Sequence, residues 1–268
     1  MIIIGEKLNG SIPSCAAAIA ARDEAYIKDL AKRQAEAGVD YIDCCASVRE
    51  NELETLSWMV DTIQSVTDRP IALDSPDVSV IINSMHLCKK PGMFNSVSGE
   101  GDKIERAFPV LAKPENQKWH VMALLCDDTG IPKSAEKRIE VFDKIMIKAT
   151  EYGIEDDRIH IDPAVEMLCT TDDGEGAFMI FDVMKYIKKS RPKVHISGAI
   201  SNISFNLPVR RLVNQAFAVL AINAGMDSAV LDPLNKDLRG VILAAEAMLG
   251  FDDFCAEYVS AYREGIFA

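Results

Sequence analysis

A chain of 268 residues, 49% of them hydrophobic, has enough apolar material for a sizeable core, which excludes a disordered reading. Its 41 acidic against 29 basic side chains give a formal net charge of −12, a field that repels a phosphate backbone and argues against a nucleic-acid partner. No apolar stretch is long enough to cross a membrane, Met1-Ile2-Ile3-Ile4 meets Gly5-Glu6-Lys7 too early for a signal peptide, and the seven cysteines include no CxxC pair; a soluble, cytoplasmic chain with free thiols is expected.

Short β-type runs recur along the chain at 2–4, 41–43, 70–74, 92–95, 120–125, 158–162, 194–198 and 228–232. Successive starts lie about 20 to 40 residues apart, room for the crossover helix that a following parallel strand requires. Helical periodicity fills several of these gaps, at 23–37 before Gly38, 53–66, 138–152 before Gly153, 179–188, and 212–224 before Gly225. Eight strands alternating with helices predict an α/β chain folded as a (β/α)8 TIM barrel. No low-complexity linker divides it, so one domain over 1–268 is expected.

The C-terminal strand ends of such a barrel meet around one pocket, and here they carry polar residues almost strand by strand. Glu6 and Asn9 follow the first run, Asp43 closes the second, and Asp74-Ser75 the third. Asn95-Ser96, Asp127-Asp128, Asp162, Ser201-Asn202 and Asp232 continue the series. Any one of them is also what a helix N-cap takes; their convergence on one rim is what points to a site. The rim reads as rich in carboxylates and amides and poor in Lys, Arg and His, which suits a neutral, donor-rich heterocycle better than a phosphorylated ligand. A pterin fits that description, because its N–H and NH2 present two parallel donors to one carboxylate.

His86, His120, His160 and His195 stand singly in the sequence without the His-x-His spacing of a zinc site, and a structural role is expected of them. No metal is expected, although octahedral Mg2+ through Asp74 or Asp162 stays open. Adjacent Cys44 and Cys45 read as small core residues, with a thiolate zinc site as the alternative.

The pieces Ile4-Gly5-Glu6-Lys7-Leu8-Asn9-Gly10, Leu73-Asp74-Ser75, Asn95-Ser96, Thr129-Gly130-Ile131-Pro132-Lys133, Ile161-Asp162-Pro163 and Gly198-Ala199-Ile200-Ser201-Asn202-Ile203-Ser204, in this order on eight strands, carry a resemblance. The chain resembles the methyltetrahydrofolate:corrinoid-protein methyltransferases of the pterin-binding group over nearly its whole length. The resemblance implies that Asp74, Asn95 and Asp162 hold the pterin, with Glu6, Asp43 and Ser201 beside them. Asn202 would contact N5, the nitrogen that carries the methyl group, and would be the catalytic residue. It implies tetrahydrofolate or 5-methyltetrahydrofolate as substrate, a corrinoid (cobalamin) carried by a separate protein, and a homodimer. The reaction would serve one-carbon metabolism or demethylation of a methylated amine.

The chain departs from that pattern at Cys45, where the family commonly has Asn; alternation places Cys45 on the side of Asp43, by the pocket wall. Dihydropteroate synthases are similar too, but place a Ser-Arg-Lys-like segment after the seventh strand, where this chain has Ser201-Asn202-Ile203-Ser204. A dihydropteroate synthase-like enzyme and a non-catalytic folate-binding subunit are the alternatives. The nearest approach to the cobalamin-binding Asp-x-His-x-x-Gly is Lys193 to Gly198, with Lys in place of Asp, so the cobalt centre is expected on another chain.

Overall fold

The computed structural model describes residues 1–47, 50–170 and 176–267. Its strands are β1 (Ile2–Asn9), β2 (Tyr41–Cys45), β3 (Ile71–Asp74), β4 (Met93–Gly99), β5 (His120–Asp127), β6 (Ile159–Asp162), β7 (His195–Ile196) and β8 (Ser228–Leu231). The helices are α1 (Pro13–Ala20), α2 (Glu24–Glu36), α3 (Glu52–Gln64), α4 (Val78–Ser84), α5 (Lys103–Leu111), α6 (Ala135–Glu151), α7 (Gly176–Ser190), α8 (Arg210–Asn223), α9 (Lys236–Met248) and α10 (Ala256–Arg263). All strand pairs are parallel, in the order β7-β6-β5-β4-β3-β2-β1-β8. The Val230 amide donates to the Gly198 carbonyl at 3.0 Å, and a bridge between Ala199 and Val230 joins the two ends, so the sheet is a nearly closed barrel.

Helix starts follow capping chemistry. Asp23 accepts the Tyr26 amide, Ser134 the Lys137 amide and Asn235 the Leu238 amide, each taking up a donor that its helix leaves free. Gly38, at φ +79°, turns the chain out of α2 in a conformation that L-residues avoid. The outward strand residues pack against the helices in one continuous core that includes Leu8, Ile42, Leu73, Phe94, Val121 and Ile161. Inside the barrel a second, smaller apolar layer is formed by Ile4, Ala72, Met93 and Met122, with Tyr41 and Val230 against it.

Four strands run past their predicted ends, β2 and β5 by two residues and β1 and β4 by more, and the extensions of β1 and β4 shape the mouth. β1 continues to Asn9 with a register shift between Gly5 and Leu8: Gly5 pairs with Ile42 but Leu8 with Cys44. Such an irregularity re-aims side chains, leaving Leu8 fully buried outside the barrel and Glu6 in the pocket. In β4, Asn95 pairs with Met122 and Val97 with Ala123, so Ser96 is the extra residue.

Candidate active site

At the C-terminal mouth a cavity of about 480 Å3 is lined by Glu6, Asn9, Asp43, Asp74, Asn95, Asp162, Ser201 and Asn202, with Met122 and Val230 among its apolar surfaces. The size is that of a small-molecule site. Every residue to which the family resemblance gave a role lines this one cavity. Asp43, Asp74, Asn95 and Asp162 stand at or near the ends of β2, β3, β4 and β6, while Ser201 and Asn202 sit on the 3-10 turn Ile200–Ser204 that follows β7.

The carboxyls are not equivalent. Burial pushes Asp43 well above the usual carboxylate range, and the nearby Asp74 charge adds to the effect. Asp74 and Asp162 are each raised by burial to about 6. Two backbone amides, from Ala164 and Val165, and the Arg138 charge hold Asp162 back from a larger rise. Glu6 is raised as well, through burial and then the Asp232 charge, and Ser201 Oγ lies 3.5 Å from its Oε2. Asn95 Nδ2 donates to Asp43 Oδ1 at 3.3 Å, and Asn9 Oδ1 accepts the Ser11 amide at 2.8 Å.

Other rim residues are engaged elsewhere. Asp127 accepts the Thr129 amide and hydroxyl, Asp128 accepts the Gly101 amide, and both border a separate crevice between α5 and α6. Ser75 Oγ accepts the Asp77 amide, and Asp232 pairs with Lys7 at 2.9 Å. These are the turn and cap roles that the same residue types take by default.

Three sequence expectations change. The rim is not without cations: Arg210, at the start of α8, lines the cavity, donates to the Ser201 carbonyl at 2.8 Å and lies 4.4 Å over the Phe205 ring. Its distance from the strand end hid it, since it enters only because the loop after β7 folds back over the mouth. Three of the four histidines, single in the sequence, meet in the fold. His120 Nδ1 and His160 Nε2 lie 3.0 Å apart, His160 stacks on His195 at 4.6 Å, and His195 Nδ1 is 3.1 Å from Asp227 Oδ2. This cluster lies in the barrel one step below the mouth, because His120 and His160 precede Met122 and Asp162 by two residues. Finally, Cys45 does not line the cavity. It pairs with Asp74 in the β2–β3 register, interacts with the Asp74 carboxyl from beside it and lies 3.0 Å from Ser47 Oγ. Burial raises the Cys45 thiol, so it is a neutral partner rather than a nucleophile.

Among the described residues, no group of three or more His, Cys, Asp or Glu is arranged to hold a metal ion.

A parallel barrel whose C-terminal mouth gathers carboxylates and amides is the architecture of a small-molecule enzyme site. The chain belongs to the pterin binding enzyme family, whose model matches residues 8–232. It is 45% identical over 267 residues, 99% of this chain and 97% of the relative, to a methylcorrinoid:tetrahydrofolate methyltransferase of Eubacterium limosum. It is also 27% identical over 250 residues to a methionine synthase of Mycobacterium leprae, of which it spans 21%. Among solved structures, a Yersinia pestis dihydropteroate synthase with a pterin–sulfa conjugate matches with a TM-score of 0.67 at 17% identity, covering 93% of this chain and 94% of that one. A Coxiella burnetii dihydropteroate synthase in complex with pteroic acid matches with a TM-score of 0.67 at 16% identity, covering 94% of each chain. At those identities the likeness is one of fold. Among the described residues no helix is long and apolar enough to cross a membrane.

Proposed function

We propose that this chain is a methyltransferase that moves a methyl group between the cobalt of a separate corrinoid protein and N5 of tetrahydrofolate, acting as one domain. The observation that carries this reading is the near-full-length 45% identity to the Eubacterium limosum enzyme, whose name states both reaction partners. That name also favours the direction from corrinoid to folate.

In this reading Asp74 and Asp162, ionised at neutral pH, accept the paired N–H donors of the pterin, and Asn95 meets a remaining edge. Asp43 keeps its proton and steadies Asn95. The partner's corrinoid supplies the methyl carbon and keeps the electron pair of the broken cobalt–carbon bond. As N5 takes the carbon it gives up its proton, and Asn202 Oδ1 accepts the N5–H bond that orients the lone pair. An amide does not take the proton itself near pH 7, so it leaves through water between Asn202 and the rim carboxyls. Arg210, exposed at the mouth, suits the carboxylates of folate's glutamate tail. Glu6 and Ser201, hydrogen-bonded to each other, form the wall beside Asn202.

We place the protein in the cytoplasm, where seven unpaired thiols stay reduced, and as a homodimer on the family resemblance alone. The test mixes the chain with tetrahydrofolate and the methylated corrinoid protein and follows the corrinoid absorption. Conversion of the methylated to the cob(I) spectrum, dependent on tetrahydrofolate, is expected. Saturable folate binding without spectral change would make the chain a carrier. Pyrophosphate release from a dihydropterin pyrophosphate with p-aminobenzoate would make it a synthase.

A further inference from the structure

Among the described residues Arg138 is the largest side chain with no exposure, and it sits in the first turn of α6, outside the pocket. An isolated guanidinium is costly to bury, so its partners indicate what it is for. Nε donates to the Pro132 carbonyl at 2.9 Å, at the end of the β5–α6 loop. Nη1 donates to the Pro163 carbonyl and, at 2.8 Å, to the Ala164 carbonyl. Nη2 meets Glu166 Oε2 at 2.5 Å, and the other oxygen of Glu166 accepts from Lys133 at 2.7 Å. The fork therefore ties the loop after β5 to the turn that directly follows Asp162.

That turn holds the pocket carboxylate. Asp162 Oδ1 accepts the Ala164 amide at 2.8 Å, and Ala164 adopts φ +61°, a left-handed conformation that a residue with a Cβ disfavours. Arg138 binds the carbonyl of the same residue whose amide binds Asp162. The other titratable and charged groups about Asp162 are Glu6, Asp43, Asp74 and Arg210, which line the same mouth, and His160, below it on β6 and held neutral by burial. After burial and the two backbone amides, the Arg138 charge also acts on the carboxyl and holds it down, and Glu166 pairs with that charge.

We propose that Arg138 is a positioning residue for Asp162: it fixes the turn that aims the carboxylate into the mouth and supplies the counter-charge that keeps it ready to accept a ligand's donors. The proposal rests on the reading of the pocket as a folate site.

The experiment measures tetrahydrofolate affinity from pH 5.5 to 8.5 for the wild type, Arg138→Met, Arg138→Lys and Glu166→Gln, with thermal melts alongside. Arg138→Met should move the pH midpoint of binding upward by about one unit, so that affinity falls about threefold at pH 6.5, approaches a tenfold loss at pH 5.5 and recovers towards pH 8.5. Arg138→Lys keeps the charge and should restore most of the midpoint. Glu166→Gln leaves the Arg138 charge unshared and should move the midpoint downward, a sign that a merely structural role does not give. If Arg138→Met does not fold, the downward shift of Glu166→Gln against the near wild-type midpoint of Arg138→Lys decides. A wild-type profile in folded Arg138→Met, or in Glu166→Gln, overturns the proposal. A wild type that binds no tetrahydrofolate across the range overturns the folate reading instead.

Discussion

Asn95 Nδ2 reaches Asp43 Oδ1 from two strands away, passing over β3 at Ala72, the residue paired with Asp43. Only a small side chain at that position leaves the interior open for the bridge. Burial separates the two neighbouring acids: Asp43, pushed well up against the lowering hydrogen bond from Asn95, keeps its proton, and Asp74, at about 6, carries the charge. Asp43→Asn therefore exchanges one neutral acceptor for another and should change the tetrahydrofolate Kd by less than about threefold. Asp74→Asn removes a charged acceptor and should cost about 1.5 to 3 kcal/mol, roughly ten- to hundredfold in Kd. Calorimetric titration of both variants checks this, and equal losses would refute the division of labour.

Binding should also depend on pH with a definite sign. Asp74 and Asp162 accept donors as carboxylates and titrate at about 6, so affinity holds at pH 7.5 and falls as pH drops through 6. Below the midpoint the loss approaches tenfold per pH unit for each carboxylate engaged. A Kd for tetrahydrofolate that stays flat between pH 7.5 and 5 would show that neither carboxylate meets the ligand in its charged form.

Asn202→Ala should act on rate. If its bond to N5 strengthens as the methyl group moves, kcat falls about tenfold or more while KM changes by less than about threefold. Stopped-flow absorption of the corrinoid separates the two. Unchanged turnover with unchanged folate affinity would remove Asn202 from the mechanism.

The barrel was legible because most strands are short apolar runs with an acid or amide at or just past the end, and a parallel strand needs a crossover. The long extensions of β1 and β4 were not, for a physical reason. Gly5-Glu6-Lys7 and Asn95-Ser96 break the apolar pattern because their side chains serve the mouth, and a bulge that re-aims side chains leaves no periodic signal. The polar ends at Asp127, Ser75 and Asp232 look the same in sequence as those at Asp74 and Asp162. Which of them cap their own turns depends on where each strand stops relative to its neighbours. Arg210 and Arg138 lie a loop or a helix turn away from the strand ends, where only the folded chain brings them to the site. The histidines meet because β5, β6 and β7 are neighbours and all three residues point inward, a coincidence of register that separate spacings of 40 and 35 residues do not reveal.

That buried cluster predicts a loss of stability in acid. Burial lowers His120 from 6.5 to about 4, and His160 lies well below its ordinary value. Groups with depressed basicity contribute stability that is complete above 6.5 and is lost as pH falls towards the folded value, at about 1.4 kcal/mol per pH unit for each histidine. Asp74 and Asp162 work in the opposite sense, since their raised values favour the protonated fold as pH falls from about 6 towards 3.8. Wild-type stability alone therefore mixes the two. His120→Gln removes one titration, keeps an amide beside His160 and leaves the mouth acids untouched. Urea unfolding at pH 7.5, 6.0 and 5.0 should give a gap between wild type and variant that narrows or reverses on acidification, because only the wild type has to keep that histidine neutral. A gap that stays constant across the series would mean that the floor of the barrel already admits protons in the native state.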